Sequence, residues 1–425
     1  AACGGGSSSA STSSGSEGSG SGSGLQARPR FRSPGLRRPR PLNFRFRPEA
    51  GSQARRRNAR QRRRRRRAGP EGVNSPGGGG GGGGIYGVEW DGGSSPAMTR
   101  TDDAASFSDP LPAVNNGSGS SPFDDIMPWS GMERVTDTNG GELVKIPKFW
   151  YKLSINSSTG AFKLQIANSA EDGFSVSPAH QDRGDGKGER DYVYVGAYHC
   201  ATSTYKSSTG VTPANNLTRA QFRTNISSLG SDIWQWDKAM LTTIQMLYLV
   251  EYANWNSQAK IGYGCSDSGS VQNSGLCDSM TYHTGTNAAS RTTYGHTRYR
   301  YIEDLWGNVF DWCDGIRFSS SSIYIYKNPS EFSDSSGGVN TGTRPTSGGC
   351  ISSWNQPSTS GYDWAIYPGA VSGSNSTYVP DNCYYSSSGV VLRVGSSYGQ
   401  YLAYGLFCLS GYKSASDSSG DVGAR

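Results

Sequence analysis

A serine framed by glycines, an acid-rich turn and a scatter of thiols are the residues whose types and spacing could do chemistry in this chain. Gly395 to Gly399 reads G-S-S-Y-G and matches G-x-S-x-G, the turn that presents a nucleophilic serine, here Ser397. That chemistry needs a strand before the serine, a helix after it and a base histidine later in the chain. No helical pattern follows Ser397, and the last of the four histidines is His296. The match therefore predicts no hydrolase. His180, Asp182, Asp185, Glu189 and Asp191 gather within residues 180–191, but their spacing fits no EF-hand or zinc motif. The Arg183-Gly184-Asp185 triplet in the same run is short enough to arise by chance, and the segment reads as a charged turn. The eight cysteines form no CxxC pair, which argues against a zinc ribbon or a thioredoxin-like site. Cys265 and Cys277 could be bridged across their Gly/Ser loop; buried free thiols are the expected state. No metal and no cofactor is expected.

Aromatic contact chemistry is better represented. The chain holds 24 Tyr and 10 Trp, and beyond Gly262 it is rich in Gly, Ser, Asn and Tyr. Tyrosine offers broad amphipathic contact area at low entropic cost, and Ser, Asn and Gly adapt their hydrogen bonding around it.

The elements that must position such residues are mostly strands. Residues 85–104 predict two short strands around an Asp91-Gly92 turn. Residues 142–155, 161–167 and 191–200 alternate β-branched and aromatic residues near period two. Thr218 and Gln221 form a capping-box pattern before Phe222, Ile226 and Leu229, with Gly230 as the stop. A second helix is predicted from about Asp237 to Asn254, where Met240, Ile244, Leu247, Tyr248 and Glu251 recur at helical spacing. Both helices read as amphipathic elements packed on a core. Helical periodicity then ceases, and residues 322–327 and 389–395 predict short strands among long polar loops. The pattern is α+β and β-rich, not βαβ.

Charge divides the molecule. Residues 1–84 carry 18 Arg and three acids (Glu17, Glu49, Glu71), a net of +15, while the rest holds 23 basic and 31 acidic residues, a net of −8. The tail runs from Gly/Ser repeats through Arg62 to Arg67 to a polyglycine stretch, and such a composition predicts disorder. Its arginines would meet nucleic acid only through phosphates, and no stacking platform accompanies them. No stretch reaches the ~20 apolar residues of a membrane span. No leader of signal-peptide type opens the chain, and without an initiator Met it reads as truncated or processed.

Four motifs then fall in a telling order. "LWGNVFDW" (305–312) resembles the G-N-V-W-E-W signature of the formylglycine-generating-enzyme-like branch of the C-type lectin fold. Residues 247–264 are similar to that branch's second helix and loop, "GVVLRVGSS" (389–397) to its R-G-G-S-W strand and turn, and "VGAR" (422–425) to its G-F-R close. Within the fold, "IYGVEW", "DDIMPWSGM", "IPKFWYK", "GFSVSPAH" and "GLFCLSG" resemble variable proteins of diversity-generating retroelements, including phage major tropism determinants.

The resemblance implies a binding protein and no enzyme. In that family adenine-directed mutation of AAY codons varies a C-terminal ligand surface, and such codons cannot become Lys, Gln, Glu, Met or Trp. Residues 384–425 hold no Glu, Met or Trp, one Gln and one Lys, with ten Ser and six Tyr. The implied ligand face comprises Tyr398, Tyr401, Tyr404 and Tyr412, completed by Ser396, Ser397, Leu402, Ala403, Ser410, Asp417, Ser419 and Asp421. Residues 85–165 would form a β-rich attachment or oligomerisation region and 166–425 the lectin-type domain, with the variable region at about 384–425. The implied partner is a host-surface protein or glycan, and the implied setting is a phage tail or a bacterial surface. Weak single sites imply a multivalent homo-oligomer, with trimers suggested by the family. No calcium-dependent sugar site is expected, since neither E-P-N nor W-N-D occurs as in calcium lectins. One rival is a structural virion or surface protein whose tyrosines pack against itself. The other is a formylglycine-generating-type oxidase, but Cys408 lies within "LFCL", where apolar surroundings disfavour a thiolate, and fold alone does not carry the activity across.

Overall fold

The computed structural model describes residues 83–115 and 117–425, which fall in one compact unit. The expectation for the 1–84 tail lies, apart from Gly83 and Gly84, outside the described residues. Those residues are β-rich with few helices, an α+β arrangement.

The capping-box helix forms as its residues predict. Helix α1 spans Arg219–Ser227, with the Thr218 side chain accepting from the Gln221 N–H and the Gln221 side chain accepting from the Thr218 N–H. Helix α2 spans Lys238–Tyr252, capped by the Asp237 carboxylate at its start and by Ala253 in the left-handed region (φ 47°) at its end. The sequence predicts an amphipathic α2, but all fifteen of its residues are buried. Its polar residues face inward instead. Gln245 donates to the Leu406 carbonyl at 3.0 Å, Thr243 accepts from the Ala179 N–H at 3.0 Å, and Lys238 donates to Thr242 at 2.7 Å. A helix surrounded by sheet and loop on all sides keeps most of its polar groups paired; the Tyr248 hydroxyl, buried without a hydrogen-bond partner among the described residues, is an exception.

The sheets enclose that helix. A five-stranded antiparallel sheet runs in the order Thr99–Asp102, Ile85–Trp90, Phe162–Ala167, Trp150–Ile155, Ser175–Val176. The turn at Gly92 adopts φ 81°, but the second strand begins only at Thr99, so the expected tight hairpin is a longer loop. A three-stranded sheet pairs Glu133–Thr136, Glu142–Pro147 and Tyr192–Gly196. The largest sheet orders Val339–Thr343, Ser322–Ile325, Phe310–Ser319, Val391–Val394, Leu409–Lys413, Val379–Tyr385 and Gly349–Ile351, with Val422–Gly423 added in parallel beside Phe310–Ser319. Thus three of the four ordered motifs meet side by side: Asp311 pairs with Val394, and also with Gly423.

The expected boundary at 165/166 is not a domain boundary. It cuts the strand Phe162–Ala167, which pairs along its whole length with Ile85–Trp90, and one apolar cluster joins Val88 and Leu164 to Leu247 and Phe407. Residues 85–165 complete the core instead of standing apart from it. All seven described cysteines are free, so Cys265 and Cys277 are not bridged.

Candidate ligand-binding face

The candidate face is built on the strands Val391–Val394 and Leu409–Lys413, which pair antiparallel with Arg393 opposite Ser410. The fourteen residues between them form no helix or strand, so their backbone groups need partners elsewhere. They find them systematically. The Tyr398 N–H donates to the Asn308 carbonyl (3.0 Å), the Tyr401 N–H to the Ser266 carbonyl (3.1 Å), and the Asn382 N–H to the Ala403 carbonyl (2.8 Å). Gln258 clamps the same segment at both ends of its amide, donating to the Tyr401 carbonyl and accepting from the Tyr404 N–H, both at 3.2 Å.

Asp381 anchors the far end. Its two carboxylate oxygens accept from the N–H groups of Gly405 (2.7 Å) and Phe407 (2.8 Å). Burial pushes this carboxyl up to about 6, while those two N–H groups pull it down. Tyr401 and Ala403 adopt φ of 63° and 67°. Non-glycine residues rarely occupy that region, and they persist there only where the surroundings hold them.

The expected face divides by exposure. Tyr401 and Tyr412 are 53% and 56% exposed. Tyr398, Leu402, Tyr404, Asp417, Ser419 and Asp421 are half-buried. Ser396, Ser397, Ala403 and Ser410 are buried, which corrects their expected place on a contact surface. The Ser396 hydroxyl meets that of Ser266 at 3.1 Å, Ser410 accepts from Arg393 at 3.2 Å, and the Ala403 backbone is tied to Asn382. These four position the loop and do not reach solvent. Burial of Ser397 also leaves it unfit as an exposed nucleophile.

Two aromatic groups result. The Tyr401 ring meets Tyr294 edge-on (6.0 Å between centroids), and Tyr294 leans on Tyr263 (5.5 Å). The Tyr404 ring stacks on Tyr384. Sequence reasoning missed Tyr263, Tyr294 and Tyr384, and it also missed the supports Gln258 and Asp381. The signal for Tyr384 was its place at the edge of the same Ser/Tyr-rich run; for the others it lay in no local pattern. Tyr412 stands on the strand Leu409–Lys413, where its carbonyl accepts from Ser386 (2.9 Å). Asp421 pairs with Arg393 (3.3 Å), Asp417 accepts from the Ser414 N–H (2.7 Å), and the Ser419 carbonyl accepts from the Asn216 N–H (3.0 Å). No hydrogen bond or ring contact among the described residues joins Tyr412, Asp417, Ser419 or Asp421 directly to Tyr401.

The other candidate chemistry lies within the fold. Arg183 of the R-G-D triplet is 2% exposed and paired with Asp237 at 2.5 Å, so the triplet is not presented. His180 is buried, accepting from Ser177 at Nδ1 (2.6 Å) and donating from Nε2 to the Ile146 carbonyl (3.0 Å), the tautomer that satisfies both. Burial of Cys408 pushes its thiol well up, and burial pushes Cys383 up to about 12. His296, Glu303 and Asp304 form the group of metal-ligand type among the described residues, with ligand atoms within 4.8 Å of one another. The Glu303 oxygens already accept from the Gly275 and Cys277 N–H groups (2.6 and 2.8 Å), and Asp304 meets His296 Nδ1 at 2.7 Å. That arrangement is a buried hydrogen-bonded ion pair. Beside it, Arg425 binds Asp311 (3.3 Å) and the carbonyls of Gly196, Glu303 and Asp304, tying the strand Val422–Gly423 into the core. No family model matches the chain, and no curated protein matches it.

Proposed function

We propose that this chain is a ligand- or receptor-binding protein of phage-tail or prophage tropism type, with the C-type lectin fold of the formylglycine-generating-enzyme-like branch. The observation that carries the reading is the pairing of exposure with fixity at Tyr401. The ring is more than half exposed, while its backbone is held in an unfavourable conformation by its own N–H donating to the Ser266 carbonyl and its carbonyl accepting from Gln258. A preorganised aromatic anchor loses little freedom on binding. The adjacency of Asp311, Val394 and Gly423 in one sheet supports the fold assignment, since the motif residues that suggested it converge. Burial of the Cys383 and Cys408 thiols favours binding over thiol oxidation.

In this reading the contact set is Tyr401 and Tyr412 with the half-buried Tyr398, Leu402 and Tyr404, extended by Tyr263, Tyr294 and Tyr384. The partner is a protein or glycan of a bacterial surface, met by several copies at once. The test is adsorption of the fluorescently labelled full chain to intact cells of a bacterial panel, with and without chelator. Saturable adsorption to some strains, retained in chelator, is expected. Uniform, non-saturable uptake across the panel would remove the binding reading and leave a structural surface protein.

A further inference from the structure

Tyr401, Tyr294 and Tyr263 form an angled aromatic corner. The Tyr401 and Tyr294 rings stand 79° apart and the Tyr294 and Tyr263 rings 52° apart, so neither contact is a stack that would use up the ring faces. A ring face carries the negative lobe of the quadrupole and attracts a cation. Elsewhere the chain supplies that cation itself. Lys145 lies 4.0 Å from the centre of the Tyr192 ring, Arg317 3.9 Å from that of Tyr324 and Lys327 4.8 Å from that of Tyr362. Among the described residues no lysine or arginine lies over Tyr263, Tyr294 or Tyr401. The cations of the adjoining segments are turned to other partners: Lys260 pairs with Asp109 at 2.7 Å, and Arg291 donates to the Lys260 carbonyl at 3.2 Å.

An acid without a partner lies beside this corner. Asp267 is exposed, and its carboxylate makes no hydrogen bond or ion pair among the described residues. It sits between Ser266, whose carbonyl accepts from the Tyr401 N–H, and Ser268, whose N–H donates to the Tyr398 carbonyl at 3.1 Å. The bonds that fix Tyr401 therefore fix the backbone on both sides of Asp267. Burial, and after it the Asp267 charge, pushes the Tyr294 hydroxyl up, so the carboxylate is within electrostatic reach of the rings. Uncovered ring faces beside an unpaired carboxylate favour a positively charged guest. The net of −8 over residues 85–425 steers such a partner inward. Arginine matches both halves of the site: its guanidinium is flat enough to stack on a tyrosine ring, and its fork binds a carboxylate through two N–H groups.

We propose that the corner of Tyr401, Tyr294 and Tyr263, with Asp267, receives an arginine side chain of a protein partner. The assignment rests on the binding reading above and narrows its partner to a protein. The probes are the tripeptide acetyl-Gly-Arg-Gly-amide and its citrulline counterpart, which keeps the shape of arginine without the charge. Each is titrated against the full chain by ligand-observed NMR. The arginine peptide is expected to bind saturably and about fivefold more tightly, the ratio that one cation–π contact of about 1 kcal/mol supplies. Tyr401→Leu keeps apolar bulk and removes the ring; Asp267→Asn keeps the shape and removes the charge. Each should melt within about 2 °C of the native chain and cut the preference to about twofold or less. Equal affinity for the two peptides, no binding by either, or a preference that either folded variant leaves intact overturns the proposal. On cells of a strain that adsorbs the chain, trypsin treatment should abolish adsorption. Adsorption that survives trypsin overturns the proposal and leaves the binding reading standing. Failure to adsorb to any strain removes that reading, and the peptide titrations still decide the chemistry of the corner.

Discussion

The rings of Tyr384 and Tyr404 stack with centroids 6.1 Å apart and hydroxyl oxygens at 3.2 Å, whereas Tyr401, three residues before Tyr404, touches its neighbour Tyr294 by an edge. Tyr404 is therefore packed on one face as well as half-exposed, whereas Tyr401 is chiefly presented. Tyr404→Ala removes a half-buried ring and a stacked partner and should cost about 1–2 kcal/mol. Tyr401→Ala removes mostly exposed area and should cost less than about 0.5 kcal/mol. Urea unfolding of the two variants checks the difference, and equal losses would contradict it.

The Asp381 carboxyl predicts a pH dependence with a definite sign. Its folded-state value of about 6 lies above the ordinary 3.8, so its contribution to stability is full below about pH 4 and is lost as pH rises through 6. Asp381→Asn has no such titration. The advantage of the native protein over this variant should be larger at pH 4.5 than at pH 7, by on the order of 2 kcal/mol. Denaturant titrations at the two pH values measure it; a gap that widens toward pH 7 would refute the assignment.

His180 works in the opposite direction. Burial holds the imidazole down to about 4 against an ordinary 6.5, so its contribution is present above about pH 6.5 and is lost as pH falls through 4. His180→Gln retains a side-chain donor but carries no charge at any pH. Native protein should therefore exceed His180→Gln in stability by more at pH 7 than at pH 4.5. The same unfolding series reads out both effects, and their opposite slopes separate them.

Glu251 provides the test of the buried helix. It accepts from Arg300 Nη2 (2.7 Å) and Nε (2.8 Å), from Tyr299 (2.9 Å) and from Ser121 (2.8 Å), with 0% of its surface exposed. Glu251→Ala leaves the buried Arg300 charge with Asp124 (3.2 Å) as its remaining carboxylate partner and should cost about 3 kcal/mol. Glu251→Gln keeps acceptor capacity and should cost visibly less. Thermal unfolding distinguishes them; two equal, small losses would show that α2 tolerates solvent.

Local signals in the sequence suffice where local physics decides. The Thr218/Gln221 capping box and the alternation in residues 161–167 need no tertiary information. The burial of Gln245, off the face that Met240, Ile244, Leu247, Tyr248 and Glu251 share, was not legible, because helical spacing reports the periodicity of a face and not what surrounds the rest of the helix. The boundary at 165/166 failed for the same reason: pairing of Tyr86 with Ile166 is a non-local choice. On the candidate face, Tyr401 and Tyr412 came from the family resemblance, and both are exposed. Ser396, Ala403 and Ser410 are tied inward by Ser266, Asn382 and Arg393, none of them a sequence neighbour of the residue it holds.

The central claim is that a fixed framework holds Tyr401 and Tyr412 outward to meet a partner. It is tested most directly by substituting both with Ala and measuring adsorption to a bacterial strain that binds the native chain, alongside the melting temperature. Adsorption reduced at least tenfold, with melting within about 2 °C of the native value, is the predicted result. Native-level adsorption by the correctly folded double variant would contradict it.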